Sequence, residues 1–209
     1  MIGYRRKFSY LSGLAILVVT YSVIGLMGLA QTGEIPGKGT LKQADGSVTV
    51  DGSSADSGAS ILSGSTISTA RGSSAVVSLG KLGRVELAAE TTVRLMFTDS
   101  VAAVAMIDSP NGRATIITQK TGNATPPEGG KLRVVGEVSV NGTSANSGAT
   151  VFSDSTVTTA GGSSAVVSLG KLGRVELMEN SKMNLKFDST GTTAMLSQGR
   201  VRLSTSSGI

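Results

Sequence analysis

The sequence predicts an all-β protein: two tandem, duplicated domains of β-sandwich or β-roll type, preceded by one N-terminal transmembrane helix. Three observations carry that prediction. The block Gly72–Leu87, GSSAVVSLGKLGRVEL, recurs letter for letter as Gly162–Leu177. Within and around it apolar and polar residues alternate at a period of two, the spacing of strands with one buried face. Ahead of both copies, Leu11–Ala30 runs twenty residues without a charge.

As a helix rising about 1.5 Å per residue, that apolar run reaches about 30 Å, the thickness of a bilayer's hydrocarbon core. Arg5, Arg6 and Lys7 precede it and Glu34 follows, so the positive-inside rule keeps residues 1–10 in the cytoplasm and puts everything after Gln31 outside. The expectation is a retained single-pass anchor over 11–30. Gly28-Leu29-Ala30 also suits signal-peptidase cleavage before Gln31, although the run exceeds the roughly 7–15 apolar residues usual in such signals. Arg5-Arg6-Lys7-Phe8 partly fits a twin-arginine signal, but no cofactor motif gives a reason for export in the folded state.

Residues 31–42, QTGEIPGKGTLK, are rich in glycine and polar side chains and read as a tether. The first β-domain is expected over 43–119. Its inward series are Val48 and Val50; Ala75, Val77 and Leu79; Val85 and Leu87; Val93, Leu95 and Phe97. Asp45-Gly46, Asp51-Gly52, Asn111-Gly112 and Asn141-Gly142 are dipeptides that tolerate the positive φ angles of tight turns. Gly80-Lys81-Leu82-Gly83 joins two strands as a short hairpin, and Gly170–Gly173 repeats it. Residues 120–131, KTGNATPPEGGK, form the interdomain linker, and 132–209 the second domain. There Met183, Leu185 and Phe187 replace Val93, Leu95 and Phe97, while outward Arg94 becomes Asn184, as a one-sided core requires. Aligning Gly112 with Gly199 contracts the preceding stretch in the second copy, which marks a surface connection.

The pattern resembles the FecR-like domain, a β-rich module of bacterial cell envelopes. The residues that carry the resemblance are Gly46–Val50, Gly64–Thr69, Ser74–Leu79, Gly83–Leu87 and Thr91–Leu95, with Leu196–Val201 resembling the close of such a domain. It implies a periplasmic or external β-domain on the bacterial cytoplasmic membrane and, in regulators of that family, an envelope signal passed to a sigma factor. Only about ten residues precede the apolar run here, too few for an independent cytoplasmic fold, so sigma-factor control is not the leading expectation.

Composition narrows the chemistry. Cysteine, histidine and tryptophan are absent, which removes disulfides, the usual zinc ligands, thiol nucleophiles and the imidazole base together. The net charge is +5, but Arg5, Arg6 and Lys7 hold three of the 19 basic residues, so the remainder nearly balances the 14 acidic ones. All three tyrosines precede the tether, leaving few aromatic platforms for stacking bases or sugars. Asp51, Asp56 and Asp154 lack the spacing of a calcium loop, and the serines have no partner base. No enzyme activity, cofactor, metal, nucleic acid or small-molecule substrate is expected.

Lys81 with Arg84, and Lys171 with Arg174, set paired positive charges at equivalent hairpin tips. They could grip an acidic partner or lipid headgroups, while the plainer reading is a solvated turn guarding against aggregation. The function expected is a non-catalytic, membrane-anchored interaction or scaffold protein, an accessory subunit whose partners are the bilayer and other subunits of a membrane or envelope complex. The alternatives are an envelope signal transducer and a secreted protein that self-associates or binds surface polymers.

Overall fold

The structure is a computed structural model that describes residues 37–107, 109–119 and 127–205. The expected membrane segment 11–30, its basic flank Arg5-Arg6-Lys7 and much of the interdomain linker lie outside the described residues. The chain divides into two units, Met1–Gly33 and Glu34–Ile209, and all described residues belong to the second.

Period-two alternation produces strands throughout. The first copy supplies β1 (Lys38–Asp45), β2 (Val48–Val50), β3 (Ser53–Ser54), β4 (Ser60–Leu62), β5 (Thr66–Thr69), β6 (Ser74–Ser78), β7 (Gly83–Leu87), β8 (Thr91–Phe97), β9 (Val101–Met106) and β10 (Ala114–Gln119). The second supplies β11 (Gly130–Val135), β12 (Val138–Val140), β13 (Thr143–Ser144), β14 (Thr150–Val151), β15 (Ser155–Thr159), β16 (Ser164–Ser168), β17 (Arg174–Leu177), β18 (Ser181–Phe187), β19 (Gly191–Gln198) and β20 (Arg200–Ser204). No α-helix occurs among the described residues.

These strands make two ten-stranded sheets in which every pairing is antiparallel. Sheet I has the order β13-β12-β15-β18-β19-β10-β7-β6-β1-β4, and sheet II the order β14-β11-β16-β17-β20-β9-β8-β5-β2-β3. Each copy therefore contributes half of both sheets. The copies join where β10 pairs with β19 and β20 pairs with β9, so equivalent edges meet reciprocally, as across the self-complementary interface of a twofold dimer. The question of separate sandwiches or one continuous stack, which the sequence left open, is answered by this pairing: both sheets run through.

One hydrophobic core lies between the sheets and draws on both copies. Val48, Ala75, Val77, Leu79, Val85, Leu87, Val93, Leu95 and Phe97 are buried, and Val50 packs against them half-buried. Met183, Leu185 and Phe187 repeat the arrangement. Leu82 and Leu172, which occupy the short 3-10 turns between β6 and β7 and between β16 and β17, are buried as well.

Three departures from the sequence reading have local causes. Strand β1 begins at Lys38, inside the stretch expected as a tether, and Leu41 is fully buried. A bulge at Lys42 shifts the register between Leu41 and Gln43 and breaks the alternation that would have exposed the strand to a pattern search. At the other linker, Gly130 and Lys131 already belong to β11. Finally, the seam between the copies is not symmetric: Ile116 pairs with Ala194 in sheet I, whereas the equivalent Leu203 pairs with Ala102 in place of Val104. A slip of two residues leaves every side chain on its own face, so the core tolerates it.

Of the four dipeptides expected at turns, two carry positive φ at both residues, Asp45-Gly46 carries it at Gly46 alone, and Asn111-Gly112 at neither. Asp51 and Gly52 have φ of 50° and 81°, Asn141 and Gly142 52° and 80°, the double positive φ of a type I′ hairpin. Asp51 Oδ1 accepts the Thr66 N–H at 2.8 Å, and Asn141 Oδ1 accepts the Thr156 N–H at 2.8 Å. The alignment of Gly112 with Gly199 also holds: Arg113 N–H donates to Thr91 Oγ1 and Arg200 N–H to Ser181 Oγ. Residues 107–113 connect β9 to β10, whereas Gly199 alone connects β19 to β20.

Candidate functional site

Lys81 and Lys171 lie on the expected turns, but Arg84 and Arg174 belong to the strands that follow, and part of the charge is spent. Lys81 and Lys171 are exposed on the 3-10 turns. Arg84 starts the outward face of β7, and its Nε donates to Glu86 Oε1 at 2.7 Å with both side chains largely exposed. Arg174 Nε meets Glu176 Oε1 at 2.8 Å. Neither tip therefore presents two unpaired cations, and exposed pairs of this kind contribute at most about 1 kcal/mol to stability. The tips also belong to opposite sheets, Arg84 to sheet I and Arg174 to sheet II.

The charge that gathers in space is elsewhere, on the outer face of sheet II. Its strands hold six basic residues, Lys131, Arg133, Arg174, Arg200, Arg202 and Arg94, against one carboxylate, Glu176. Strand register arranges them in rows. Arg133, Val166, Glu176, Arg202, Ala103 and Met96 stand opposite one another across six strands. The next row runs Arg200, Ala105, Arg94 and Thr66, and on the other side Lys131, Ser168 and Arg174 align. All six basic side chains are exposed, because their strand neighbours Leu132, Val175, Val201, Leu203, Val93 and Leu95 point into the core. Glu176 Oε2 also lies 3.8 Å from Arg202 Nη1, so this carboxylate is shared by two arginines.

The strands of sheet I hold Lys38, Lys42, Arg84, Lys182 and Lys186 against Asp45 and Glu86. Two of those lysines sit on β1 beside the outer edge; at the middle of the face Thr115, Met195 and Asn184 form a neutral row, and the next row holds Ile117 and Thr193 between Arg84 and Lys186. Most of the remaining carboxylates, among them Asp51, Asp56, Glu90, Asp154, Glu179 and Asp188, occupy turns. Acidic turns and basic faces cancel in the net charge, which is why composition alone makes the body look neutral.

The duplication provides an internal comparison that could have found this face. Lys131, Arg133 and Arg202 of the second copy stand where the first has Thr40, Gln43 and Thr115, as their pairing with Ser168, Val166 and Glu176 against Ser78, Val76 and Glu86 shows. Once strand pairing is known, three neutral positions that become basic fall on one surface.

Concavities on this molecule are shallow. One of about 410 Å³ lies at the seam of sheet II between Ala105, Met106, Ser164, Met178, Glu179 and Arg200, and another of about 480 Å³ on sheet I between Arg84, Ile117, Lys186, Asp188 and Thr193. Among the described residues no group of three or more acidic side chains could hold a metal ion. Two carboxylates are held below the usual range. Asp51 owes this first to the Thr66 N–H, then to the Ser65 hydroxyl and Arg94; Asp188 owes it first to the Thr190 hydroxyl, then to backbone N–H groups and Lys186. Both are exposed turn residues whose acceptor role explains them.

Each outer end of the slab closes with very short strands, β3 and β4 at one end and β13 and β14 at the other, which limits edge-to-edge pairing. Leu62 and Phe152 occupy equivalent positions there, 58% and 62% exposed. The chain matches no known family model, no curated protein and no solved structure.

Proposed function

We propose that this chain is a non-catalytic scaffold of a bacterial envelope: two FecR-like domains held outside the cytoplasmic membrane by an apolar helix over 11–30, docking as an accessory subunit onto a larger membrane complex. The observation that supports this reading is the layout of its charged groups. They are spread over broad sheet faces, with a shallow seam cleft in place of a deep site, and such surfaces suit contact over area. The continuous double sheet gives those faces a rigid backing, since displacing one half would break main-chain pairing at both seams.

Two measurements on the full chain test the proposal. Alkaline carbonate washing should leave it in the membrane pellet, and extraction in mild detergent should yield a species of defined mass well above that of the protomer. A chain that washes free, or that runs alone after extraction, contradicts the scaffold reading. Leu62 and Phe152, equivalent and exposed at the two ends, favour one second reading, a secreted form that associates end to end. A mature N-terminus at Gln31 together with concentration-dependent self-association would select it.

A further inference from the structure

We propose that the outer face of sheet II lies against an anionic lipid surface, so that the slab rests flat on the membrane that anchors it. This rests on the anchored reading above and adds which face meets the bilayer. The basic groups span from β11 to β8, five strand spacings or about 24 Å, and occupy three rows covering about 13 Å along the strands. A two-dimensional spread of that kind matches a plane of headgroups better than a single extended polymer, which would need its cations in file.

The face also carries apolar bodies among its charges. Met96 is 44% exposed in the same row as Arg133 and Arg202, and Val166 lies between Arg133 and Glu176. Long arginine side chains and a flexible thioether suit the boundary between headgroups and acyl chains. Among the described residues Lys131, Arg133 and Arg200 take part in no ion pair, so they meet lipid phosphates without first breaking one, and Arg94 has only the attraction of the exposed Asp51 carboxylate to give up. The internal comparison adds to this: Lys131, Arg133, Arg202 and Arg94 are basic here where the other copy has Thr40, Gln43, Thr115 and Asn184, a gain that outnumbers Lys182 and Lys186, which stand on sheet I where this face has Thr92 and Met96.

Chain length permits the contact. Residues 31–37 separate the apolar run from the sandwich, and seven extended residues reach about 25 Å. Two packed sheets are only about 10 Å apart, so the tether allows either face to meet the bilayer, and charge selects sheet II. Each basic residue brought near an anionic leaflet strengthens binding about fivefold at moderate salt.

The absence of cysteine from the sequence makes a clean test. Ala103→Cys places a fluorophore at the centre of sheet II, and Thr193→Cys places one at the centre of sheet I. The full chain is reconstituted into vesicles of phosphatidylcholine alone or with phosphatidylglycerol, each containing a headgroup-linked quencher. The expected result is several-fold stronger quenching at Ala103 than at Thr193 in anionic vesicles. That difference should vanish in about 0.5 M salt, and in the variant Arg94→Gln/Arg133→Gln/Arg200→Gln, whose exposed substitutions leave the core untouched.

Equal quenching of the two labels, or stronger quenching at Thr193, overturns the proposal. So does binding of soluble polygalacturonate that survives competition by anionic vesicles, which would assign the face to an acidic glycan. Failure of the chain to float with neutral vesicles sinks the anchor alone. Flotation with anionic vesicles, lost in the triple variant, would then still support the face, and its absence would overturn it.

Discussion

Thr69→Val tests whether a buried hydroxyl strut holds the corner of each copy together. Thr69 is 4% exposed; its Oγ1 donates to the Ala88 carbonyl at 2.5 Å and accepts the Thr91 N–H at 3.1 Å. Thr159 does the same in the second copy, donating to the Met178 carbonyl and accepting the Ser181 N–H at 3.1 Å. Valine keeps the shape of the side chain and removes both bonds. Each is worth about 1 kcal/mol net, and more where a partner stays buried and unpaired. The added methyl returns up to about 0.8 kcal/mol, so a loss of about 1–3 kcal/mol is expected. For a body of this size that lowers the midpoint of thermal unfolding by about 2–4 °C per kcal/mol. The two sites share no partner, so the double variant should lose the sum of the single effects. The assay is urea unfolding of the full chain followed by circular dichroism, with Thr66→Val as control: Thr66 is half-buried and should change by less than about 0.5 kcal/mol. If Thr69→Val and Thr159→Val unfold at the same midpoint as the control, the strut contributes nothing and the reasoning fails.

Gly83 has φ of 127°, and a Cβ there would stand 2.0 Å from the Ile117 carbonyl oxygen, whereas at Gly52 it would meet open space. Gly83→Ala should therefore cost more than about 3 kcal/mol by parting β7 from β10, while Gly52→Ala costs about 1–2 kcal/mol from positive φ alone; equal effects in the same unfolding assay would refute the steric account. Asp51 has its carboxyl pKa lowered, so its contribution is fully present above the unfolded value near 3.9 and is lost as pH falls through the folded one. Since Asn141 fills the same role without a charge, Asp51→Asn should hold stability at pH 7 and show a shallower loss below about pH 4, read from midpoints across an acid series. The copies share both sheets and one core, which predicts a single unfolding transition reported alike by labels at Thr115→Cys and Thr158→Cys; two separated transitions would show that the seam pairings carry little cooperativity.

Much of this protein was determined within its own sequence. The alternation at Ala75–Leu79, Val85–Leu87 and Val93–Phe97 specified strands and their inward faces, because a residue's face depends only on its parity along the strand. The Asp51-Gly52 and Asn141-Gly142 turns were legible because such dipeptides tolerate positive φ at both residues, whereas Asn111-Gly112, the same pair of residues in another connection, adopts it at neither. Leu41 was hidden by a one-residue bulge, and Leu82 by a turn too short to show a period.

Tertiary structure decided which edges meet. The backbone of β10 would be equally satisfied by any antiparallel neighbour, and only packing both copies over one core selects β19 for it and β9 for β20. That selection sets Arg200 and Arg202 of one copy beside Ala103, Ala105 and Arg94 of the other, forming a surface that exists nowhere along the chain. Spacing in sequence governs what a strand buries, while its neighbours in the sheet govern what its exposed face becomes.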